Sequence, residues 1–553
     1  MTRRIVRTLL QAAAALITTL ILVLVLDRNY RVLPNSLHAH MPTHHPGLVV
    51  TDVTIAQCSS VNVFSSCNLD KQKWTRVEKD LLLGKSWTRS AFLFVSRKRE
   101  EDLIEGDSVV MDVTVGRLNP GSASGASEQW EARPSGIWLK RSMSHKASDD
   151  NQAITDVDVV FGDDAVEARG HWSIVGVPLL LNTENHFSAH LTVRRGPHVQ
   201  EKTPKPRFND NGRFRIMQVA DLHLSTGVGK CRDAVPDKYH GGPCEADPRT
   251  LEFMAKMLEE EKPDLVILSG DQVNGDTSPD APSAIYKFAK LLIERSIPYA
   301  CIFGNHDDEK SMSRAAQMAI LESLPYSLSL AGPEDVDGVG NYYIEVLARG
   351  KSDHSALSIY MLDTHAYSSD ERNFPGYDWI KPSQINWFRH TAEKLKAKHK
   401  EYTHRHMDIA FIHIPLHEYL DHTNPRVGAW REGVTAPTYN SGFRDALVEQ
   451  NVVMVSAGHD HANEYCALSM QDEAGSKEEQ TPALWMCYGG GIGFGGYGGY
   501  GGYVRRLRMF EIDANEAKIT TWKRIEHGRK VGERHDEQVL VDGGRPVAPQ
   551  GGT

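Results

Sequence analysis

Cysteine and positive charge are both scarce in this sequence. The chain has 553 residues but only 7 cysteines, which is too few for a fold built on disulfide bridges. Its 62 Lys and Arg residues are outnumbered by 72 Asp and Glu, for a formal net charge of -10, whereas nucleic-acid-binding proteins normally carry a basic excess. A single long apolar run excludes a multi-span transporter. The composition, 40% hydrophobic and 24% charged, is that of a globular protein.

The one long apolar run, Leu9–Leu26, follows Arg3, Arg4 and Arg7 and is long enough for a membrane-spanning helix of about 17–25 residues. We expect a retained signal anchor in a single-pass membrane protein. Its N-terminus would be cytoplasmic and the rest of the chain lumenal or extracellular, in the endomembrane system or vacuole. The alternative is a cleaved signal peptide and a secreted protein, although no small-residue cleavage site ends the run. The sequence lacks any Asn-x-Ser/Thr sequon that would support lumenal exposure.

Six of the cysteines lie close in sequence to another cysteine, and each such pair is able to form a disulfide or to stay as free thiols. Cys301 is the single one, inside an apolar run. The three pairs are Cys58 with Cys67, Cys231 with Cys244, and Cys466 with Cys487.

The hydrophobic pattern changes at residue 214. Before it, short β-type runs such as Val109–Val115 are separated by Gly- and Ser-rich segments, which predicts a mostly-β domain. After it, strand and helix patterns alternate, which predicts an α/β domain. The expected order is a cytoplasmic stub and anchor helix (1–29), a stalk (30–46), the mostly-β domain of unknown role (47–200), a linker (201–213), the α/β domain (214–525) and a flexible tail (526–553).

Side chains able to bind metal follow five apolar strands of the α/β part. Because ligands gather beyond the carboxyl ends of strands in helix-covered sheets, we expect these side chains to converge. Carboxylate, amide oxygen and imidazole suit Mn, Fe or Zn, and the absence of cysteine among them argues against a structural zinc site. The candidate ligands are Asp221, His223, Asp271, Asn305, His413, His459 and His461.

These seven residues are enough for two metal ions if Asp271 bridges them. Each ion then has four protein ligands and keeps open positions for water and substrate. Two ions about 3.5–4 Å apart are a recurring device for phosphoryl transfer to water. Taken singly, an Asp-x-His pair is more typical of a surface turn and His413 of a core histidine. The five motifs in order, each at a strand end, are not expected by chance.

Together the motifs resemble the signature of the calcineurin-like metallophosphoesterase superfamily over about residues 211–525. The motifs that carry this resemblance are Asp221-x-His223, Gly270-Asp271, Gly304-Asn305-His306-Asp307, His413 and Gly458-His459-x-His461. The resemblance implies a four-layer αββα sandwich of the α/β class, here preceded by the mostly-β domain and the transmembrane anchor.

More narrowly, the chain resembles the membrane-anchored fungal phosphatases of the dosage-dependent cell-cycle regulator type, relatives of purple acid phosphatases. This rests on Cys231-Arg232-Asp233, Cys244–Thr250 and the glycine- and tyrosine-rich tract Gly489–Tyr503. We expect that tract to be a flexible aromatic loop near the cleft, with a packed β-turn connection as the alternative. Purple acid phosphatases carry a tyrosine ligand where this chain has Asn274, so their charge-transfer colour is not expected.

The resemblance also implies a role for each site residue. One ion would be held by Asp221, His223, Asp271 and His461, and the other by Asp271, Asn305, His413 and His459. A metal-activated hydroxide would attack phosphorus. His306 would protonate the leaving alkoxide as general acid. Asp307 would hold the His306 imidazole in its donor tautomer, or alternatively cap a helix.

We therefore expect a metal-dependent phosphoric ester hydrolase with a dinuclear centre, a phosphomonoesterase acting on phosphoproteins. The alternatives are a phosphodiesterase of the same superfamily and a membrane-tethered scaffold without catalysis. The expected cofactors are two divalent or trivalent ions, Mn, Fe or Zn. The expected partners are a phosphorylated substrate and, through the N-terminal helix, a membrane, but no nucleic acid.

Overall fold

The N-terminal segment forms a helix, α1 (Arg3–Tyr30), over the expected apolar run. Among the described residues no helix is both long enough and apolar enough to cross a membrane, so the predicted anchor has no support here. Residues 31–46 of the predicted stalk lie outside the described part. The structure, a computed structural model, describes residues 3–30, 47–59, 67–83, 88–104, 106–124, 129–142, 152–181, 187–196, 203–310, 312–400, 406–473 and 476–549.

The first of two compact units comprises Met1–Gly162 and Gly170–Gln200 and is β-rich, as the alternating runs predict. Three antiparallel three-stranded sheets, in the orders β1-β3-β2, β4-β6-β5 and β7-β9-β8, share one apolar core. A one-turn helix, α2 (Gly121–Ser124), follows β4. The strands are β1 (Leu48–Ser59), β2 (Thr75–Asp80), β3 (Arg89–Arg99), β4 (Val109–Val115), β5 (Trp130–Ala132), β6 (Ile137–Ser142), β7 (Ile154–Phe161), β8 (Trp172–Ile174) and β9 (Ala189–Arg195).

The second unit, Asp163–Arg169 with Glu201–Thr553, alternates strands and helices. Its helices are α3 (Ala246–Glu261), α4 (Ala281–Ile293), α5 (Arg314–Ser323), α6 (Pro382–His399) and α7 (Phe443–Glu449). Its strands are β10 (Arg213–Val219), β11 (Lys238–Tyr239), β12 (Gly242–Pro243), β13 (Leu265–Ser269), β14 (Tyr299–Ile302), β15 (Tyr342–Leu347), β16 (Ser355–Met361), β17 (Met407–Phe411), β18 (Arg426–Val427), β19 (Val452–Ala457), β20 (Cys466–Glu473), β21 (Ser476–Tyr488), β22 (Arg506–Asp513), β23 (Lys518–Ile525), β24 (His535–Asp542) and β25 (Arg545–Pro546).

Two seven-stranded sheets form the centre of this unit, in the orders β14-β13-β10-β22-β23-β24-β25 and β15-β16-β17-β19-β21-β20-β18. Successive strand residues face opposite sides. Ile409 and Phe411 therefore lie in the core between the sheets, while Ala410 lies in a second core with side chains of α6 and α7. On the first sheet, Phe288 of α4 packs against Tyr299 of β14. The α/β layering expected from the sequence is confirmed for this unit.

Two segments, expected to be a linker and a flexible tail, belong to this fold. In the predicted linker 201–213, Phe208 is buried in the core between the sheets, and the backbone N–H of Leu347 donates to the Pro206 carbonyl at 2.9 Å. In the predicted tail 526–553, β24 and β25 extend the first sheet, and Leu540 and Val541 are fully buried. The tail looked loop-like because Gly, Pro and Asp surround its short apolar run. That run is a strand because β23 offers it an open sheet edge.

The three cysteine pairs are disulfides, and Cys301 is free and buried in β14. Two of the bridges belong to the second unit: Cys231–Cys244 precedes α3, and Cys466–Cys487 joins β20 to β21 at directly paired positions. The third, Cys58–Cys67, begins at the end of β1.

Candidate metal centre

The seven candidate ligands come from the ends of five strands in two sheets. Asp221 and His223 follow β10, Asp271 follows β13 and Asn305 follows β14, all in the first sheet; the others follow β17 and β19 of the second. Asp221, His223, Asp271 and His459 have positive φ, a conformation that costs energy for residues other than glycine and clusters at functional sites. A hydrogen bond joins the turn after β10 to the turn after β13: the backbone N–H of His223 donates to the Asp271 carbonyl at 2.9 Å.

The ligand atoms form two buried groups that share Asp271. Asp221, His223, Asp271 and His461 each place one ligand atom within 4.8 Å of the others, and so do Asp271, His413 and His459. Nε2 of His223 and Nε2 of His461 are 3.0 Å apart. In the second group, Nε2 of His413 is 3.3 Å from Oδ2 of Asp271 and 3.3 Å from Oδ1 of Asn305. The structure thus brings all seven predicted residues together, with Asp271 common to both groups.

The unpaired atoms of this cluster fit a pair of cations. Oδ2 of Asp221, Oδ2 of Asp271 and both ring nitrogens of His459 are buried without a hydrogen-bond partner. Burying such atoms unpaired is costly, and buried charges normally pair or coordinate metal. The two Nε2 atoms of His223 and His461, 3.0 Å apart, would both be satisfied by coordinating one cation. The donor set of carboxylate, amide and imidazole suits Mn, Fe or Zn.

Burial and mutual charge set the protonation of the cluster. Burial lowers the pKa of His223 to about 3 and lowers those of His459 and His461 well below the ordinary value, so these rings are neutral, the form that binds metal. Burial would raise the pKa of Asp271, but His413, together with His306 and His223, outweighs it and holds that pKa well below its usual range. Burial would lower the pKa of His413, yet Asp271 raises it to about 9.

His306 lies beside this cluster with a different carboxylate from the one predicted. Its backbone N–H donates to Oδ1 of Asp271 at 2.8 Å, and its ring centroid is 5.3 Å from that of His223. Nδ1 of His306 is 2.9 Å from Oε1 of Glu309. Burial lowers the pKa of His306, but Asp271 and Glu309 outweigh it and raise that pKa above its ordinary value.

Asp307 neither orients His306 nor caps a helix, which corrects both interpretations made from the sequence. Its two oxygens accept backbone N–H groups of Asp271 and Val273 at 2.9 Å and of Gly304 at 2.6 Å. The carboxylate is fully buried and therefore organises the turns that present the ligands. Consecutive residues in a tight turn point in different directions, so adjacency in sequence did not place Asp307 against the His306 ring.

Two glycines allow the turns to approach the ligands closely. A Cβ on Gly304 would overlap Oδ1 of Asp271 and crowd Nε2 of His413 at 2.6 Å. A Cβ on Gly270, whose φ is +96°, would overlap the ring of His413. Any side chain at either position would displace a ligand, which accounts for glycine in the Gly-Asp and Gly-Asn-His motifs.

The tract Gly489–Tyr503 contributes a segment, which we call the tyrosine strap (residues 497–503), that packs on the ligands. The Tyr497 ring stacks on that of His461 with centroids 4.1 Å apart, and its hydroxyl donates to the His459 carbonyl at 2.8 Å. The Tyr503 hydroxyl is 3.1 Å from Nδ1 of His461. Oδ2 of Asp233 accepts the N–H groups of Gly499 at 2.6 Å and Tyr500 at 2.7 Å, which fixes the strap.

Other residues around the centre carried no recognisable signal in the sequence. Tyr367, half exposed, places its hydroxyl 3.5 Å from Nδ2 of Asn305, and Tyr377 packs edge-on against His459. Arg314 of α5 donates to the Gly304 carbonyl at 2.7 Å and so supports the turn that carries Asn305. These residues are ordinary members of loops and of an amphipathic helix, and only folding brings them to the ligands. Asn274, at the position of the tyrosine ligand of purple acid phosphatases, donates to the Gly495 carbonyl at 3.4 Å.

Comparison with known proteins gives one family and several relatives. Residues 214–463 match the family described as calcineurin-like phosphoesterase. "Phosphatase DCR2" of Saccharomyces cerevisiae is 38% identical over 410 residues, covering 71% of this chain and 68% of that protein. "Probable inactive purple acid phosphatase 14" of Arabidopsis thaliana is 36% identical over 349 residues, covering 58% of this chain and 82% of the plant protein. The solved structure of purple acid phosphatase PPD1 from yellow lupin seeds is 11% identical with a TM-score of 0.39, covering 84% of this chain and 74% of the lupin chain.

Proposed function

The chain belongs to the calcineurin-like phosphoesterase family, and from this premise we propose that it is a phosphomonoesterase with two metal ions. The observation that carries the proposal is the buried cluster in which all seven candidate ligands meet around Asp271, with the His306 ring beside it. Relatives named inactive raise the alternative of a non-catalytic protein. Every candidate ligand and the candidate acid are present in this chain, which favours catalysis.

The residues divide into two sets for two ions. Asp221, His223, Asp271 and His461 would hold one, and Asp271, Asn305, His413 and His459 the other. Ions bound there would lower the pKa of a water molecule to make a nucleophile and would neutralise phosphate oxygens.

The protein's own part in the reaction is to place a proton donor. The Glu309 carboxylate lies 2.9 Å from Nδ1 of His306 and would favour a proton on that nitrogen in the imidazolium, which leaves Nε2 as the atom that gives a proton to the leaving oxygen. Asp307 keeps the turn of Asn305 and His306 against Asp271 through its three backbone hydrogen bonds. Tyr503 holds Nδ1 of His461 and thereby directs Nε2 toward Asp221, 3.5 Å away.

We extend the proposal to phosphoproteins as the natural substrates. The support is the narrower resemblance to membrane-anchored fungal phosphatases, together with the half-exposed Tyr367 and Tyr497, which border the cluster at the surface. A phosphate on a flexible polypeptide segment is able to reach such a border.

Hydrolysis of p-nitrophenyl phosphate against bis-p-nitrophenyl phosphate tests the proposal. The purified protein is chelated, then supplied with Mn, Fe, Zn or Mg, and compared with Asn305→Ala and His306→Ala. The matched control is His240→Ala, because His240 is exposed and pairs with Glu252 away from the ligands. We expect metal-dependent cleavage of the monoester, lost in Asn305→Ala. In His306→Ala, cleavage of an alkyl phosphate, added as a third substrate, should fall about 10²-fold or more because its alkoxide leaves with a proton, whereas p-nitrophenyl phosphate should change little.

The outcomes separate the alternatives. A preference for the diester would assign the chain to phosphodiesterases. Metal binding without turnover of either ester would favour a non-catalytic protein. Equal activity of His306→Ala and His240→Ala on several esters would show that His306 is not the general acid.

A further inference from the structure

A second cleft shares the tyrosine strap with the metal centre. Its volume is about 1060 Å³, and the strap residues Tyr500 and Tyr503 form part of its wall. Since Tyr503 also contacts His461, the cleft adjoins the candidate metal centre through one side chain. We call it the basic cleft; its charged lining residues are Arg431, Glu464, Arg506, Lys523 and Asp536.

The charges in the basic cleft do not balance. Three cationic side chains face two carboxylates in its lining. Behind the lining, Arg508 donates to the Glu464 carbonyl at 2.7 Å, and the Glu432 carboxylate accepts the Tyr500 hydroxyl at 2.6 Å. Arg506 and Lys523 are only 3% and 2% exposed, although they line an open cleft. Both contact the same Glu464 carboxylate, which Arg431 also reaches at 2.9 Å.

Donors in the cleft also exceed the acceptors offered to them. Arg431 uses Nε and Nη2 on a single oxygen of Glu464, and 53% of its side chain stays exposed. A guanidinium has five N–H donors in a planar fork that matches phosphate oxygens. Burial would raise the pKa of Glu464, but Arg506, Lys523 and Arg431 outweigh it and lower that pKa to about 2, which reflects the positive surroundings.

We propose that the basic cleft binds a phosphorylated small molecule at a site separate from the metal centre. The guanidinium of Arg431 would donate hydrogen bonds to the phosphate. The volume is of the order of small-molecule sites, which reach about 1,000 Å³. The excess of cations favours an anion, most strongly one of more than one charge, and the guanidinium fork matches the oxygens of a phosphate. The inference does not depend on phosphatase activity.

Calorimetric titration of the chelated full chain with pyrophosphate tests this proposal. Chelation removes ions that pyrophosphate would otherwise capture, and circular dichroism confirms that each protein is folded. We expect one binding site, weakened about tenfold or more in Arg431→Gln, because the charge-assisted hydrogen bonds of the guanidinium are lost. The matched control is Arg389→Gln, because Arg389 is also part-exposed and paired, with Glu449.

Two further measurements, on Asn305→Ala and with malonate, test whether the site is the one proposed. Asn305→Ala should bind pyrophosphate as the unaltered protein does, whereas a loss there would place the anion at the metal centre. Malonate should bind more weakly, and equal affinity would overturn the assignment to phosphate. No binding of pyrophosphate, or equal binding by Arg431→Gln and Arg389→Gln, would show that the charges only support the fold.

Discussion

At the scale of single residues, Asp307 and Glu309 show how two nearby carboxylates acquire different tasks. The oxygens of Asp307 are occupied by three backbone N–H groups, whereas Glu309 reaches Nδ1 of His306. Asp307 thus holds the turns that carry the candidate ligands, and Glu309 lies where it would position the proposed acid.

Glu309→Gln should affect substrates according to their leaving groups. An alkoxide needs protonation in the transition state far more than p-nitrophenolate does. We therefore expect kcat for an alkyl phosphate to fall about 10²-fold while p-nitrophenyl phosphate is nearly unaffected, with bound metal unchanged. In a His306→Ala background, Glu309→Gln should have no further effect; an additive loss would mean that Glu309 acts elsewhere.

At the scale of elements, β24 brings the C-terminal region into the hydrophobic core of the second unit. Leu540 is fully buried between the sheets, and its carbonyl accepts the indole N–H of Trp485 at 2.6 Å. The strand pairs with β23 and so protects that edge of the first sheet.

Leu540→Ala should lower the free energy of unfolding by about 2–5 kcal/mol, because it removes buried methyl groups and leaves a cavity. Urea denaturation measures the change. Glu537→Ala, exposed on the same strand, should change stability by less than about 0.5 kcal/mol. Equal and small effects of both substitutions would show that β24 is detached in solution.

The Glu464 carboxylate contacts Arg506 of β22 and Lys523 of β23. We expect these contacts to make the stability of the protein fall in acid. The pKa of Glu464 in the folded state is about 2, lowered from 4.5. A lowered carboxyl pKa means that the unfolded chain binds the proton more readily. The stabilisation is therefore complete above about pH 4.5 and is lost as pH falls toward about 2.

We expect Glu464→Gln to destabilise the protein at neutral pH, because buried cations lose their partner. Between about pH 4.5 and 2 its unfolding should take up about one proton fewer than the unaltered protein. Chemical denaturation at several pH values measures this slope. Glu334→Gln, exposed on a loop, serves as the control, and an identical slope for the unaltered protein and Glu464→Gln would contradict the prediction.

At the scale of the whole molecule, the centre links two sheets, so occupancy by metal should couple to global stability. Ligands from both sheets meet only in the folded state, and a cation that binds only that state stabilises it by mass action. Adding Mn after chelation should raise Tm with concentration, with about 2.7 kcal/mol gained at a hundredfold excess over Kd.

Asp271→Asn should remove most of this metal-dependent rise, because both groups share Asp271. Asp353→Asn, exposed in a loop, should retain it. Differential scanning calorimetry gives both values. A rise in Tm of the same size in Asp271→Asn would place the stabilising metal elsewhere.

The sequence by itself determined the central strands of the second unit, though not β24 and β25, and the seven residues that meet in the buried cluster. Apolar runs such as Leu265–Leu268 appear as β13, and polar groups at their carboxyl ends meet because parallel strands share an edge. This information is local, since the strand pattern and the ligand lie within a few residues of each other.

Only the tertiary structure decided which carboxylate reaches His306, what the tyrosine strap packs on, and that Leu540 lies in the core. Each of these depends on a partner distant in the chain or on the direction of a side chain within a turn. Tyr497 and His461, for example, are far apart in sequence and meet because β21 and β22 carry the strap back across the strand ends. Neither hydrophobic periodicity nor motif spacing predicts such a contact between side chains, because it depends on how the sheets pack.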